Sequence, residues 1–458
     1  MYVEQLYTNC LAEAAYYIES EGEAAIIDPL RETEPYVGLA AERGARIKYV
    51  FETHFHADFV SGHIDLSRQV GAPIIYGPGA TTEYDVHNAH DGEEFKLGNV
   101  TIRVLHTPGH TPESACYLLL DESGREHALF SGDTLFVGDV GRPDLLDGTM
   151  SSETLAGMMY DSLRTKVMTL PDNVILYPAH GPGSACGKNI GKETVSTIGE
   201  QKRFNYALQK MTREEFIKKI TDGIQPPPAY FFEDARINKE GYDPIDKVIE
   251  ANSKPLTPGA LREEVKNGAV ILDTRPADVF EKGFVPGSVN IGLNGQFAVW
   301  VGTLIEISDR LVLVTDPGKE GETILRLARV GYENVAGYLE GGAQGYDQKL
   351  DTVHSVDEGG VIPEIEKGAT VLDVRKPNEW NASHLEGASF LPLSEFPKNL
   401  SGLDKDAPYI VHCGGGYRSM TAISIMKNHG FTDLINVYGG FKTLEKAGLP
   451  TESEPVVM

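Results

Sequence analysis

Three side chains able to bind a metal, His54, His56 and Asp58, stand at alternate positions of one short segment, residues 53–63, directly after the β-rich run IKYVFET. Imidazole and carboxylate donors suit first-row transition cations. Two histidines alone would make an ordinary polar loop. Three further stations follow in order: T-P-G-H-T-P with His110, S-G-D-T-L-F with Asp133 and Y-P-A-H-G with His180, each closing a β-rich run. Stations repeated at strand ends point to a buried metal centre rather than to a chance run of polar residues. Near the other end of the chain, APYIVH delivers Cys413 into C-G-G-G-Y-R, with a helix expected from about Ser419. Gly414, Gly415 and Gly416 let successive backbone N–H groups turn inward, the helix start adds positive potential and Arg418 adds a full charge. Together they favour a thiolate at Cys413 and an anion held beside it.

The elements that must position these groups read as follows. Residues 2–177 alternate short β-rich runs with polar loops, the placement of chemistry on a rigid sheet that layered α/β folds use. Helices are expected at roughly 151–165 and 190–210. Pro226, Pro227 and Pro228 cannot continue a helix and mark a boundary. A second boundary lies near residues 254–259, and an internal repeat follows it. GAVILDTRPADVFEKGFVPGSVNI from Gly268 aligns without gaps to GATVLDVRKPNEWNASHLEGASFL from Gly368, pairing Asp273 with Asp373, Arg275 with Arg375 and Phe280 with Trp380. Each copy reads as a helix, a buried strand ending in Asp-x-Arg, a second strand and a loop into a helix, so each is expected to be a small α/β domain with a mainly parallel sheet. The expected domains are 1–235, 255–352 and 355–458.

With 458 residues, 41% of them hydrophobic and 24% charged, the chain is globular in composition and too long for one ordinary core. A formal charge of −26 repels nucleic acid and anionic lipid, and both are excluded as partners. The start MYVEQLYTNC has neither a basic nor an apolar leader region, and no run approaches the roughly 18 apolar residues of a membrane span. Four scattered cysteines, Cys10, Cys116, Cys186 and Cys413, form no disulfide framework, so a reducing, cytoplasmic location is expected. Cys10 and Cys116 lie in apolar strand-like runs and are expected in the core.

H-x-H-x-D, then T-P-G-H-T, G-D-x-L-F and P-A-H-G, resembles the metallo-β-lactamase superfamily over about half the chain. GDTLFVGDVGRPDL is similar to its glyoxalase-II-like and persulfide dioxygenase branches. The resemblance implies an αββα sandwich with the site at one edge. A dinuclear hydrolase of the superfamily needs a further histidine directly after the motif aspartate, and here that position is Phe59, which cannot ligate. A single Fe(II) per chain is therefore implied, held as in persulfide dioxygenases by the residues matching their ligands, His54, His110 and Asp133. His56, Asp58 and His180 become supporting groups that orient ligands or handle protons. Arg142, in GRPDL, is expected to grip an anionic substrate. Cys186, in a glycine-rich loop before the helix expected at 190–210, resembles a cysteine of multidomain persulfide dioxygenase–rhodanese proteins. It is expected to be acidified by that helix and to act on persulfide sulfur.

The spacing of four residues between Cys413 and Arg418 resembles rhodanese sulfurtransferases, whose phosphatase relatives have a longer loop, and Asp373 with Arg375 resembles the rhodanese pair that braces the site. The first repeat carries Asp316 where the nucleophile is expected and Gly321 where the arginine is expected, and it holds no cysteine. It is expected to be inactive and structural. The implied reaction is oxidation of a low-molecular-weight persulfide by O2 to thiol and sulfite, with Cys413 relaying sulfane sulfur to sulfite as thiosulfate. The alternative is a glyoxalase-II-like thioester hydrolase fused to a sulfurtransferase. A homo-oligomer is compatible with either.

Overall fold

A computed structural model of the protein describes residues 1–145, 150–224 and 226–453, so the end of the expected third domain, 454–458, lies outside the described residues. The chain folds as two compact units, the first running essentially to Val248 and the second from Ile249 onward. Among the described residues no helix is long and apolar enough to cross a membrane.

In the first unit two six-stranded sheets face each other. One runs in chain order from Tyr2–Thr8 through Glu13–Ser20, Glu23–Ile27, Arg46–Glu52 and Ile74–Tyr76 to His87–Asn88. The other orders its strands Ser196–Thr197, Ile175–Pro178, Glu126–Gly132, Ala115–Leu120, Val100–His106 and Glu94–Leu97. Strand side chains alternate between faces, and here both faces are apolar. Tyr16, Ile18 and Ile27 turn inward to meet Val104, Tyr117 and Phe130 of the opposite sheet. Tyr17, Ile26 and Val50 turn outward under Tyr36, Ala40 and Leu66 of the helices Glu34–Arg43 and His63–Val70. On the far side Leu118, Leu129 and Leu176 pack under Met159 and Phe216, from the helices Ser152–Ser162 and Arg213–Thr221. The result is the helix–sheet–sheet–helix sandwich that the motif order implies.

The first unit extends past residue 235 because the helix Tyr230–Glu240 is stitched to the motif loop. The Asn238 amide donates to the carbonyls of His56 and Phe59, each at 2.8 Å, and accepts from the N–H of Ser61 at 2.9 Å. The helix expected at 190–210 is shorter, Ile198–Phe204, with Thr197 capping Glu200 N–H.

In the second unit the two repeats have the same sheet order. The first places Pro255–Leu256, Val335–Leu339, Leu311–Val314, Val270–Asp273 and Ser288–Asn290 side by side; the second places His354–Val356, Leu434–Val437, Tyr409–His412, Thr370–Asp373 and Ser389–Phe390. All pairings within these two sheets are parallel. In each repeat the loop after the central strand, Leu311–Val314 or Tyr409–His412, enters a helix, Glu320–Ala328 or Tyr417–Asn428.

Candidate metal centre and sulfur-transfer site

The loop after strand Arg46–Glu52 carries His54, the turn before strand Ala115–Leu120 carries His110, and Asp133 follows strand Glu126–Gly132. Three separate strand ends thus bring the three groups to one point, where their ligand-capable atoms lie within 4.8 Å of one another. Asp133 Oδ2 is 3.3 Å from His110 Nε2 and 3.8 Å from His54 Nε2. All three side chains are buried. Among the described residues His54 Nε2, His110 Nε2 and both Asp133 oxygens have no hydrogen-bond partner. Buried polar atoms are nearly always satisfied, so four orphaned ones converging on one point fit a cation.

The tautomers agree. His110 Nδ1 lies 2.8 Å from the Arg142 carbonyl, which can only accept, so Nδ1 carries the proton and the Nε2 lone pair faces the centre. Thr53 Oγ1 donates to Asp28 Oδ2 at 2.8 Å and lies 2.9 Å from His54 Nδ1, which leaves it to accept from that nitrogen and turns His54 Nε2 the same way. Burial, and then the neighbouring His56, His110 and His180, hold His54 well below its ordinary pKa, so it stays a neutral donor. Gly141 is required by close approach: a Cβ there would sit 2.2 Å from the Asp133 carbonyl oxygen.

A second constellation adjoins the first. His56, Asp58 and His180 are buried with ligand-capable atoms within 4.8 Å of one another, and Asp133, His180 and Cys186 satisfy the same limit. Asp133 Oδ1 reaches 3.6 Å from His180 Nε2 while its Oδ2 serves the first group. Burial opposes charge on His180, yet Asp58 and Asp133 hold its pKa above the ordinary value. His56 faces Asp28 at 3.2 Å and Glu52 at 3.5 Å. The fully buried ring of Phe59 lies 4.3 Å from the His56 ring, at a 32° tilt.

Three expectations need correction here. No helix starts directly behind Cys186; its loop runs on to the strand Ser196–Thr197, and burial followed by Asp58 and Asp133 pushes the thiol well above its ordinary pKa. Cys186 is therefore a fully buried thiol beside the centre. Arg142 forks onto Asp144 at 2.7 and 2.8 Å and donates to the Ala185 carbonyl at 3.1 Å, the geometry of a loop brace and not of a guanidinium held open for substrate. Cys10 sits in a turn and is only partly buried, whereas Cys116 is in the core as expected. Sequence reasoning also missed Asp28, Thr53 and Asn238. Thr53 and Asp28 each end or follow a β-rich run, a signal that could have marked them; nothing local marks Asn238.

In the last domain Cys413 is buried, and the Gly416 N–H donates to its Sγ at 3.1 Å from a backbone at φ 103°, which only glycine adopts freely. Gly414 and Gly415 line the same cavity as Cys413. Arg418 grips Glu379 through two bonds, 2.5 and 2.8 Å; burial works against that carboxylate, and the guanidinium outweighs it and holds its pKa below the ordinary value. Behind the loop Arg375 clasps Asp373 and donates to the Ser383 carbonyl at 2.7 Å, and Arg275 with Asp273 and the Gly283 carbonyl repeats the arrangement at 3.0 Å.

Sheet register keeps the gapless alignment of residues 268–291 with 368–391 and shifts the reading of Asp316 by one residue. Asp273 pairs with Val314 and Asp373 with His412, so the next residue, Thr315 and not Asp316, is the counterpart of Cys413. Counted back from the helix starts at Glu320 and Tyr417, Asp316 takes that place, so the loop of the first repeat is one residue longer. A threonine hydroxyl, like a carboxylate, cannot carry sulfane sulfur as a thiol does.

Comparison with known proteins agrees with this architecture. Residues 8–180 match the metallo-beta-lactamase superfamily, and residues 257–349 and 361–447 each match the rhodanese-like domain. The mitochondrial persulfide dioxygenase of Homo sapiens is 32% identical over 209 residues, 45% of this chain and 74% of that protein. A probable hydroxyacylglutathione hydrolase of Schizosaccharomyces pombe is 29% identical over 232 residues, 46% of this chain and 85% of that one. Among solved structures, a metallo-beta-lactamase from Staphylococcus aureus superposes with a TM-score of 0.64 at 32% identity, covering 74% of this chain and 98% of that one. The chain belongs to the metallo-beta-lactamase superfamily and carries two rhodanese-like domains after its metallo-beta-lactamase domain, the organisation of a persulfide dioxygenase–rhodanese fusion.

Proposed function

We propose that the protein oxidises a low-molecular-weight persulfide with O2 and water to the thiol, sulfite and protons, and that Cys413 passes sulfane sulfur to sulfite as thiosulfate. One observation carries the first half: two imidazole Nε2 atoms and one carboxylate, all buried and without a hydrogen-bond partner among the described residues, face one point. Two histidines and a carboxylate are a donor set suited to Fe(II), which when bound would supply the redox chemistry that O2 requires. His54, His110 and Asp133 hold it; Thr53 and the Arg142 carbonyl orient the imidazoles; His180 and Asp58 can hold a proton beside the centre. Arg142 braces the loop that carries Cys186 beside the centre.

A second reading, a thioester hydrolase, is favoured by the His56, Asp58 and His180 group beside the first and by the hydroxyacylglutathione hydrolase relatives. Phe59 weighs against a second cation, because its apolar ring lies on His56. The deciding experiment loads the purified protein anaerobically with iron or zinc. Persulfide-dependent O2 uptake with sulfite release from the iron form supports the dioxygenase; thioester cleavage by the zinc form without O2 uptake replaces it.

A further inference from the structure

Behind Cys413 a chain of buried polar side chains leads away from the sulfur. Its Sγ lies 3.7 Å from the hydroxyl of Ser419, which is fully buried on the helix Tyr417–Asn428. Ser419 Oγ donates to Asn436 Oδ1 at 2.8 Å, and the Gly416 carbonyl is a second acceptor at 3.1 Å. Asn436 and Ser355 are register partners on adjacent parallel strands, and Asn436 Nδ2 donates to Ser355 Oγ at 3.1 Å. Ser355 in turn donates to one carboxylate oxygen of Glu281 at 2.5 Å, and the other oxygen accepts from the Tyr438 hydroxyl. Glu281 belongs to the first repeat, directly after its helix Ala277–Phe280; the matching position of the second repeat is Asn381. The two repeats also meet where the Tyr417 hydroxyl donates to the Gly292 carbonyl at 2.8 Å and its ring leaves no room for a Cβ at Gly295. The chain thus starts at the thiol of one repeat and ends on a carboxylate of the repeat that has none.

The far end of the chain dictates the direction of every bond in it. A carboxylate only accepts, so the single hydroxyl hydrogen of Ser355 goes to Glu281. Ser355 is then an acceptor toward Asn436, which presents Nδ2 to it and Oδ1 to Ser419. The Ser419 hydrogen points to Oδ1, and only lone pairs face Cys413. Ser419 can therefore take a hydrogen from the thiol and cannot give one to the thiolate. The thiolate keeps the Gly416 N–H, at 3.1 Å, and the charge of Arg418. A hydroxyl donating to it as well would stabilise the anion and blunt it, because the nucleophilicity of a thiolate falls with its basicity. Bonds in a buried chain polarise one another, so a reversal at one end is carried to the other.

We propose that Glu281 is a positioning residue of the sulfur-transfer site: it fixes the polarity of the Ser355–Asn436–Ser419 chain, so that Ser419 is withheld from the Cys413 thiolate and the sulfur keeps its full nucleophilicity. This rests on the sulfur-transfer reading above and gives the first repeat a part in it. Glutamine at position 281 reverses the chain. Its amide N–H donates to Ser355 while its carbonyl still accepts from Tyr438. Ser355 then donates to Asn436, whose amide has turned over, Asn436 donates to Ser419, and Ser419 donates to the thiolate.

The test alkylates the full chain with iodoacetamide over a range of pH and follows the Cys413 peptide by mass spectrometry. Glu281→Gln is expected to lower the midpoint of the rate–pH profile by about one unit and the rate on its high-pH plateau by about threefold. Ser419→Ala is expected not to raise the midpoint on its own, and to return the plateau to the wild-type rate when added to Glu281→Gln. Arg418 with its partner Glu379, Lys376 on the cavity wall, and His412, Asp373 and Arg375 behind the loop stay in place in every variant, so a shift reports the chain. A Glu281→Gln profile that is unchanged, or whose midpoint rises, overturns the inference. So does a midpoint raised by Ser419→Ala alone, which would mean that Ser419 already donates to the thiolate; that variant decides if Glu281→Gln does not fold. Thiosulfate formation from glutathione persulfide and sulfite is measured on the same samples. A wild-type protein that forms none overturns the sulfur-transfer reading and the inference with it, whereas one that forms it while the alkylation profiles coincide overturns the inference alone.

Discussion

Asp133 turns one oxygen to His54 and His110 and the other to His180, so removing it takes negative charge from two clusters at once. Asp133→Ala is expected to weaken iron binding by more than the roughly 10–100-fold that outer partners are worth, and to abolish O2 uptake. Metal content after dialysis and an oxygen electrode check both. Cys413→Ser is the complementary case: O2 uptake with a persulfide is expected to stay at the wild-type rate while thiosulfate, measured by ion chromatography, gives way to free sulfite. Thiosulfate output that survives the substitution would move the relay to another thiol or to free sulfite chemistry. At this scale the motif residues were readable because each candidate ligand follows its own β-rich run, so spacing and chemistry coincide. Arg142 and Cys186 were harder. Whether a guanidinium forks onto Asp144 or faces substrate depends on how two loops close, and no local pattern records that.

Strand Tyr409–His412 delivers Cys413, and its last residue, His412, is buried with its Nε2 3.6 Å from Asp373. Burial pushes the imidazole down to about 4 from its ordinary 6.5, against the pull of Asp373. The folded state therefore binds a proton less readily than the unfolded chain. That contribution is fully present above pH 6.5 and is lost as the pH falls toward 4, by about 3 kcal/mol at 1.4 kcal/mol per pH unit. The second unit's denaturation midpoint is expected to drop across that window, and His412→Gln to flatten the drop; a midpoint that is flat in the wild type counts against it. At the level of elements, the strands and the parallel pairing within each repeat were legible because apolar runs alternate with loops rich in turn residues. Two features were not. The helix expected near 190 begins only at Ile198, where Thr197 supplies a cap. The extra residue in the first repeat's loop lies beyond the gapless stretch 268–291, and where the loop leaves its strand is known only once the strand's hydrogen bonds are seen.

For the whole molecule, two compact units imply two cooperative transitions. Scanning calorimetry is expected to resolve them, with added Fe(II) under argon raising only the transition of the first unit. The gain is about 2.7 kcal/mol at a free concentration one hundred times Kd. One transition that moves as a whole would mean the units unfold together. The expected boundary at residue 235 fell short because Asn238 acts on a loop some 180 positions earlier, as its bonds to His56 and Phe59 show. Long-range stitching of this kind is set by folded geometry, and no composition change announces it.

The longer loop of the first repeat bears on how such a chain can change. Placing cysteine at Thr315 would put a sulfhydryl on a turn of the wrong pitch, still without an arginine five positions on, where Glu320 stands. Recovering turnover there demands a deletion together with at least two replacements, none useful without the others. Meanwhile Gly292 and Gly295 are committed to holding Tyr417. The duplicate is thus held by its contacts with the working copy, and a single substitution in its own loop does not restore a thiol and an arginine at rhodanese spacing.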